Sequence, residues 1–565
     1  MWLACALFLL CAATAIASAP ATKFKSLLSF NITDGLNPVW NVVQGLDGNL
    51  YGTTEYGGAD RSCNSRQVGC GTVFKMTPTG GLTTLYSFCS QANCPDGAYP
   101  LAGLLLFTNG DLYGSTSNGG KGYGTIFKIT PAGQLTTLYN FCSQSGCADG
   151  ISPQGSLIRG TDGNFYGTTN LGGTGGCGGC HGGGTFFKVT PAGKLTKLYD
   201  FCKGTCLDGY NPTNGLVQGK DGNFYGTVTG RSGYYDGRLF KLTPGGKLTV
   251  LYNFCTLAKC ADGAFPYGAL VQAADGNFYG TTSGGGTYND GIFFKITPAG
   301  KLTTLHSFDY ETKGNYGADP QVGLVLGTDG IFYGTTYQGG MGCVFGCGTV
   351  FKITPAGKLT TLYLFVGADG AGPLGLFQDT SGTFYGVTSV GGANNTNDGT
   401  IFSLSVGLGP FAELVPSFGK VADTIDVLGQ GLTGTTSVSF NGTAANFTVV
   451  SGTYLTAAVP SGTTAGAVTV KTPGGVLTSN TAFVVQPRIL SFSPTSGAVG
   501  DPVTISGTSF TGATKVKFGA VQATFTVKSD TEVDTTVPTG AVTSKITVAT
   551  PAGTATSATD FTVTQ

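Results

Sequence analysis

The 565 residues are too many for one ordinary domain, and 41% of them are apolar against 11% charged, so several packed cores are expected. Gly fills 95 positions without a three-residue period, which excludes a collagen-like rod and points to a turn-rich fold. Lys and Arg number 30 and Asp and Glu 30, so the formal net charge is zero and no basic stripe is present to hold nucleic acid or an anionic membrane.

The chain opens with MWLACALFLLCAATAIASAPA, an apolar run from Trp2 to Ile16 followed by small residues with Ala-x-Ala spacing. Residues 1–21 read as a secretory signal cut near Ala17 to Ala21, with a short membrane anchor as the alternative because no basic start precedes the run. Leu10 before Cys11 fits a lipoprotein cleavage box poorly. No later run reaches 18 apolar residues, so no membrane span is expected in the mature chain.

Beyond the signal comes a strand, FKSLLSF at 24–30, and then a motif that returns seven times. Its anchor is DGNFYGTT or a close variant, with the Tyr-Gly glycine at 52, 114, 167, 226, 280, 334 and 386. Each copy reads as a short apolar run, an Asp-Gly-Asn turn, the FYGTT run, a Gly-rich loop, a GTVFKIT run, a Pro-Ala-Gly-Lys turn and a KLTTLYNF run. No stretch keeps a helical period. Four strands per repeat in seven repeats of about 55 residues predict an all-β, seven-bladed β-propeller over 22–408. The seventh repeat stops after its third strand, GTIFSLS at 399–405, so the strand at 24–30 is expected to supply the fourth and close the ring.

The same words, DGNFYGTT followed by GTVFKITPAGKLTTLYSF-like segments, resemble the GloVer tandem repeat of exported bacterial proteins over roughly 22–405. The resemblance implies a secreted, propeller-like module and brings no catalytic residues with it.

From Pro410 cysteine vanishes and Val, Thr, Gly and Ala alternate. Two copies lie here at an offset of 78: DTIDVLGQGLTGTTSVSF at 423–440 matches DPVTISGTSFTGATKVKF at 501–518. Short alternating strands predict two β-sandwiches, 409–487 and 488–565. The stretch ILSFSPTSGAVGDPVTISGTSF resembles the opening of an IPT/TIG immunoglobulin-like domain, which implies a spacer or binding module.

Fourteen of the 16 cysteines lie beyond the signal, all in close pairs: Cys63/Cys70, Cys89/Cys94, Cys142/Cys147, Cys177/Cys180, Cys202/Cys206, Cys255/Cys260 and Cys343/Cys347. An even count in an exported chain reads as local disulfides. Zinc is the competing reading, but it needs two pairs brought together, and the chain has only two histidines, His181 and His306. Cys177, Cys180 and His181 also spell the Cys-x-x-Cys-His of a haem attachment site, though in a loop of glycine with no apolar walls. A redox pair lacks its βαβ context. No cofactor is expected.

The element Asp-Gly-x-x-Pro recurs at Asp34, Asp96, Asp149, Asp208, Asp262 and Asp369, with Tyr316 in the sixth copy. It reads as an Asx-turn, in which Asn would serve as well as Asp. The sharper reading is a ring of six carboxylates around the channel mouth, able to take a cation. Neither histidine lies in a nucleophile or metal motif, and Trp40 is the only tryptophan beyond the signal. The expectation is a secreted or cell-surface monomer that binds an extracellular ligand, glycan or protein, on its cysteine-clipped face. A structural envelope component and a polysaccharide-cleaving enzyme are the alternatives.

Overall fold

Every repeat builds its own antiparallel sheet, and two kinds of turn set the strand ends. At the first, the carboxylate of Asp47 accepts the backbone N–H of Asn49 at 3.1 Å and the hydroxyl of Tyr51 at 2.9 Å, so the Tyr of FYGTT anchors the turn that precedes it. Asp162 with Tyr166, Asp221 with Tyr225 and Asp275 with Tyr279 repeat the arrangement. At the second, the hydroxyl of Thr130 accepts the N–H of Gln134 at 3.1 Å and its carbonyl accepts the N–H of Gly133.

The computed structural model describes residues 22–564 apart from 61–66, 176–181, 205, 213, 230–236, 311–316, 341, 345 and 394–396. The signal at 1–21, Cys63, the Cys177–Cys180–His181 motif and Tyr316 lie outside the described residues. The fold is almost entirely β; the helical segments among the described residues are two 3-10 turns, Ser145–Cys147 and Ala258–Cys260. No helix there is long and apolar enough to cross a membrane.

The first sheet runs Leu36–Gln44, Leu50–Tyr56, Thr72–Met76, Leu82–Ser87, in chain order. The next five follow the same plan, the third splitting its first strand into Ile151–Pro153 and Ile158–Arg159. The seventh holds Ala371–Gln378, Phe384–Val390 and Thr400–Ser405, and its fourth strand is Lys23–Ser29, antiparallel to Thr400–Ser405 with Lys23 opposite Ser405.

The Tyr-Gly signature has a packing cause. Gly52 sits opposite Phe74, and a Cβ on it would lie 2.5 Å from the ring. Gly280 and Phe294 stand in the same relation, at 2.8 Å, as do the glycines of the other five repeats. The far end of the Phe ring of FKIT thus sits over the glycine of the strand beside it, where any side chain would displace it.

That Phe also meets the next aromatic along. Phe88, at the end of the first sheet, packs edge-to-face on Phe127 of the second, with centroids 5.3 Å apart. Phe141 with Phe187, Phe201 with Phe240, Phe254 with Phe294, Phe308 with Phe351 and Phe365 with Phe402 repeat the contact from each sheet to its successor. Phe30, which follows Lys23–Ser29, makes it with Phe74 of the first sheet at 5.4 Å. A second link runs between neighbouring turns: the side-chain carbonyl of Gln218 accepts the N–H of Thr161, that of Gln272 the N–H of Lys220, and that of Gln44 the N–H of Thr380 at 3.0 Å.

After residue 408 come two units with separate cores, one around Val427, Phe440, Leu455 and Phe483, the other around Ile505, Phe518, Val533 and Phe561. The main sheet of each has the same strand order: Glu413–Val415, Thr424–Leu428, Tyr454–Ala458, Phe447–Val449 in the former, and Arg488–Ser493, Pro502–Thr508, Glu532–Thr536, Phe525–Ser529 in the latter. The former lies against the Asp-Gly-Asn turns of the repeats. Thr453 donates to the carbonyl of Leu46, Gln430 to Thr380, and the Arg159 guanidinium lies 4.5 Å from the Phe107 ring and 5.5 Å from that of Phe418.

Candidate functional site

The side away from those turns carries the cysteine loops. The structure bonds Cys89 to Cys94, Cys142 to Cys147, Cys202 to Cys206, Cys255 to Cys260 and Cys343 to Cys347. Cys70 is also disulfide-bonded, and its sulfur lies within 4.8 Å of those of Cys89 and Cys94, the one such cluster of metal-capable groups among the described residues. Oxidised sulfurs offer no thiolate, so the cluster as it stands does not supply the ligand set a zinc site requires. Closing a loop of about six residues contributes ~2 kcal/mol in the chain-entropy model.

The loops that join one sheet to the next carry the aspartate of Asp-Gly-x-x-Pro. Asp149 is fully buried; its carboxylate accepts the Tyr139 hydroxyl at 2.7 Å and the N–H groups of Ser143 and Gln144. Asp262 takes the Tyr252 hydroxyl, the Thr256 hydroxyl and the N–H groups of Thr256 and Leu257. Asp96, Asp208 and Asp369 accept from Tyr86, Tyr199 and Tyr363 in the same way, and Asp34 from Asn31. Burial opposes ionisation of Asp262, but the bonds from Thr256 and Leu257 outweigh it and hold its carboxyl below the usual range. Each of these tyrosines belongs to the fourth strand of its sheet, so five of the six carboxylates are tied to the last strand of the sheet that precedes them.

What does converge is the next part of the same element. A cavity of about 380 Å³ is lined by Val39, Trp40, Leu101, Gln154, Asn214, Tyr267, Gln321, Val322 and Leu374, at least one residue from every repeat. A second, of about 510 Å³, shares Val39, Gln321 and Leu374 and reaches Asn37, Tyr56, Tyr337 and Ser389 towards the loops. No lining residue of either cavity carries a formal charge.

The backbone at the rim is strained alike in all seven repeats. The residue just before the proline has φ between 55° and 59° at Asn37, Tyr99, Ser152, Asn211, Phe265, Asp319 and Gly372. Six of these carry side chains, for which the left-handed region costs about 1–2 kcal/mol each, and a following proline adds a further restriction. One constant backbone conformation thus presents Asn, Tyr, Ser, Asn, Phe, Asp and Gly at equivalent positions.

Two carboxylates lie at this rim. Glu55 accepts a hydrogen bond from Asn37 at 2.5 Å and Asp319 one from Gln321 at 2.7 Å; burial pushes both carboxyls up. His306 stacks edge-on against Phe308, within the fourth strand of the fifth sheet, and burial lowers its pKa.

Trp40, Gln154, Tyr267 and Gln321 were not legible as a site from the sequence. The available signal was that residues on either side of the proline vary while Asp, Gly and Pro recur.

Among solved structures, a fungal alcohol oxidase of the AA5 family in complex with copper is similar over 96% of this chain and 99% of its own, at 14% identity and a TM-score of 0.42. An auxiliary nutrient binding protein from Bacteroides ovatus matches over 68% and 76%, at 13% identity and a TM-score of 0.37. A luciferin-regenerating enzyme matches over 69% and 98%, at 11% identity and a TM-score of 0.34. No curated protein matches the sequence. The IPT/TIG domain model matches residues 487–563. The Gloeobacter/Verrucomicrobia repeat model matches 14–180, 176–341 and 220–455, and with most of its length so matched the chain belongs to that repeat family.

Proposed function

We propose that the protein is an exported, non-catalytic binding protein: a closed seven-bladed β-propeller over 22–408, carried on two immunoglobulin-like sandwiches, 409–487 and 488–565. Closure is supported by the seventh sheet, which takes its outer strand from Lys23–Ser29, and by the contacts of Phe30 with Phe74 and of Gln44 with Thr380, equivalent to those between consecutive repeats. The shared strand order of the two C-terminal units supports reading 409–487 as a second domain of the IPT/TIG type. Export is supported by the leader composition and by the paired cysteines.

Binding rests chiefly on one observation. The unit after residue 408 lies against the short-turn side, which leaves the central cavities and their strained rim facing the long-loop side. The test is binding of the full chain to arrays of extracellular glycans and proteins, with residues 409–565 alone in parallel. Binding by the full chain and not by 409–565 is the expected outcome; equal binding by both would reassign the function to the sandwiches.

A second reading, polysaccharide hydrolysis, is favoured by one feature: Asn37 and Gln321, which hold Glu55 and Asp319, line the same cavity. Reducing-sugar release lost in Glu55→Gln would establish it.

A further inference from the structure

The central cavity brings aromatic, amide and apolar side chains together. Two aromatic side chains, Trp40 and Tyr267, stand in it with the amides of Gln154 and Gln321 and the apolar Leu101 and Leu374. Tyr267 keeps 36% of its surface exposed, although it stacks at 6.3 Å on Phe265, one of the strained rim residues. Trp40 itself has a φ of 60°, a conformation that an aromatic residue adopts only where its surroundings impose it.

Resting on the binding reading above, we infer that this cavity takes a short neutral oligosaccharide, its sugar rings against Trp40 and Tyr267 and its hydroxyls on Gln154 and Gln321. Three observations select this class. No lining residue of either cavity is basic, so neither has a partner for a phosphate or a carboxylate. A side-chain amide both donates and accepts, which matches a hydroxyl group, and an aromatic face matches the C–H face of a sugar ring. The cavity volumes, about 380 Å³ and, towards the loops, about 510 Å³, suit a compact ligand or a chain end rather than a polymer laid across the surface. An extended peptide would need a free strand edge to pair with, and the first strands of four repeats here, Leu105–Leu106, Val217–Gln218, Val271–Gln272 and Val325–Leu326, are two residues long.

Trp40 provides its own readout. In the full chain carrying Trp2→Phe, Trp40 is the sole tryptophan, and its emission is followed while neutral gluco-, xylo- and manno-oligosaccharides are added, with titration calorimetry in parallel. A saturable emission change is expected for at least one series. In the calorimetric titration, Tyr267→Ala and Gln321→Leu, each checked for an unchanged melting temperature, are expected to weaken binding by about tenfold or more. Saccharide binding that both variants leave intact would overturn the assignment to this cavity. Binding of peptides or of charged ligands in place of neutral sugars would overturn the ligand class while the binding function stood. Absence of any ligand across sugars, peptides and envelope extracts would overturn the class and the binding reading together.

Discussion

Three donors converge on the carboxylate of Asp149, which has no exposed surface. An Asx-turn alone would tolerate Asn, and the sequence pattern of Asp, Gly and Pro suggests no more than that. The structure adds the Tyr139 hydroxyl and a second backbone N–H, and an amide has a single acceptor oxygen and an NH2 group that would face donors. Asp149→Asn is therefore expected to lower stability by about 1.5–3 kcal/mol, the range for losing charge-assisted bonds in a buried site, measured by chemical denaturation. Gly372 makes a second case at this scale. It is the rim residue without a side chain, and a Cβ on it would lie 2.6 Å from the Tyr337 ring and 2.7 Å from the Ser389 hydroxyl. Gly372→Ala should displace the Tyr337 ring that lines the outer cavity and cost about 1–3 kcal/mol by overpacking, read as a drop in melting temperature. Neither effect was visible in the chain, because each depends on a partner brought close by the fold rather than by the local motif.

At the scale of strands and turns the sequence was more informative. Asp-Gly-Asn, Pro-Ala-Gly-Lys and the Tyr-Gly pair mark strand ends by local chemistry, and local chemistry survives in a linear reading. The pairing of Lys23–Ser29 with Thr400–Ser405 was legible for a different reason: a repeat lacking its fourth strand needs one, and a spare strand lay at the other end. Phe24 stacks on Tyr363 at 3.5 Å and Phe30 is fully buried against the first sheet, so this strand joins the last two repeats to the first. Removing residues 22–31 should expose the edge of Thr400–Ser405 and lower the melting transition of the repeat region while leaving the transition of residues 409–565 in place. Calorimetry of the truncated chain checks this, and an unchanged first transition would mean that the strand does not seal the array. The cysteine pairs, by contrast, drew attention to the loops, while the converging residues lay just beyond the proline of the same element. Seven positions separated by about 50 residues meet only once the sheets are arranged, and no local rule predicts that meeting.

For the whole molecule, the least legible feature was the docking of the first C-terminal unit on the short-turn side. It rests on scattered contacts, with no periodic signal: Gln430 to Thr380, Thr453 to Leu46, Arg159 between two aromatic rings, and Val415 and Leu428 in an apolar cluster with the first two repeats. Carboxyls also lie at or beside this junction. Burial, reinforced by the nearby Asp379, pushes Glu413 up to about 7, and burial pushes Asp426 up to about 6 against the pull of the Tyr454 hydroxyl and Arg159. A carboxyl whose folded pKa lies above its unfolded value binds its proton more tightly in the native state. Its contribution is therefore present in full below the unfolded value, near 4.5 for Glu413, and is lost as pH rises through about 7. Asp262 works in the opposite sense, since its lowered pKa favours the fold above the unfolded value and is lost in acid. Stability should accordingly fall on both sides of a weakly acidic optimum. In Glu413→Gln the decline between pH 4.5 and 7 should flatten by on the order of 2 kcal/mol while the acid limb is unchanged. Denaturation midpoints for the two proteins across this range test it. Parallel curves would show that Glu413 titrates alike in the folded and unfolded chain, and that the junction carries no pH-dependent energy through it.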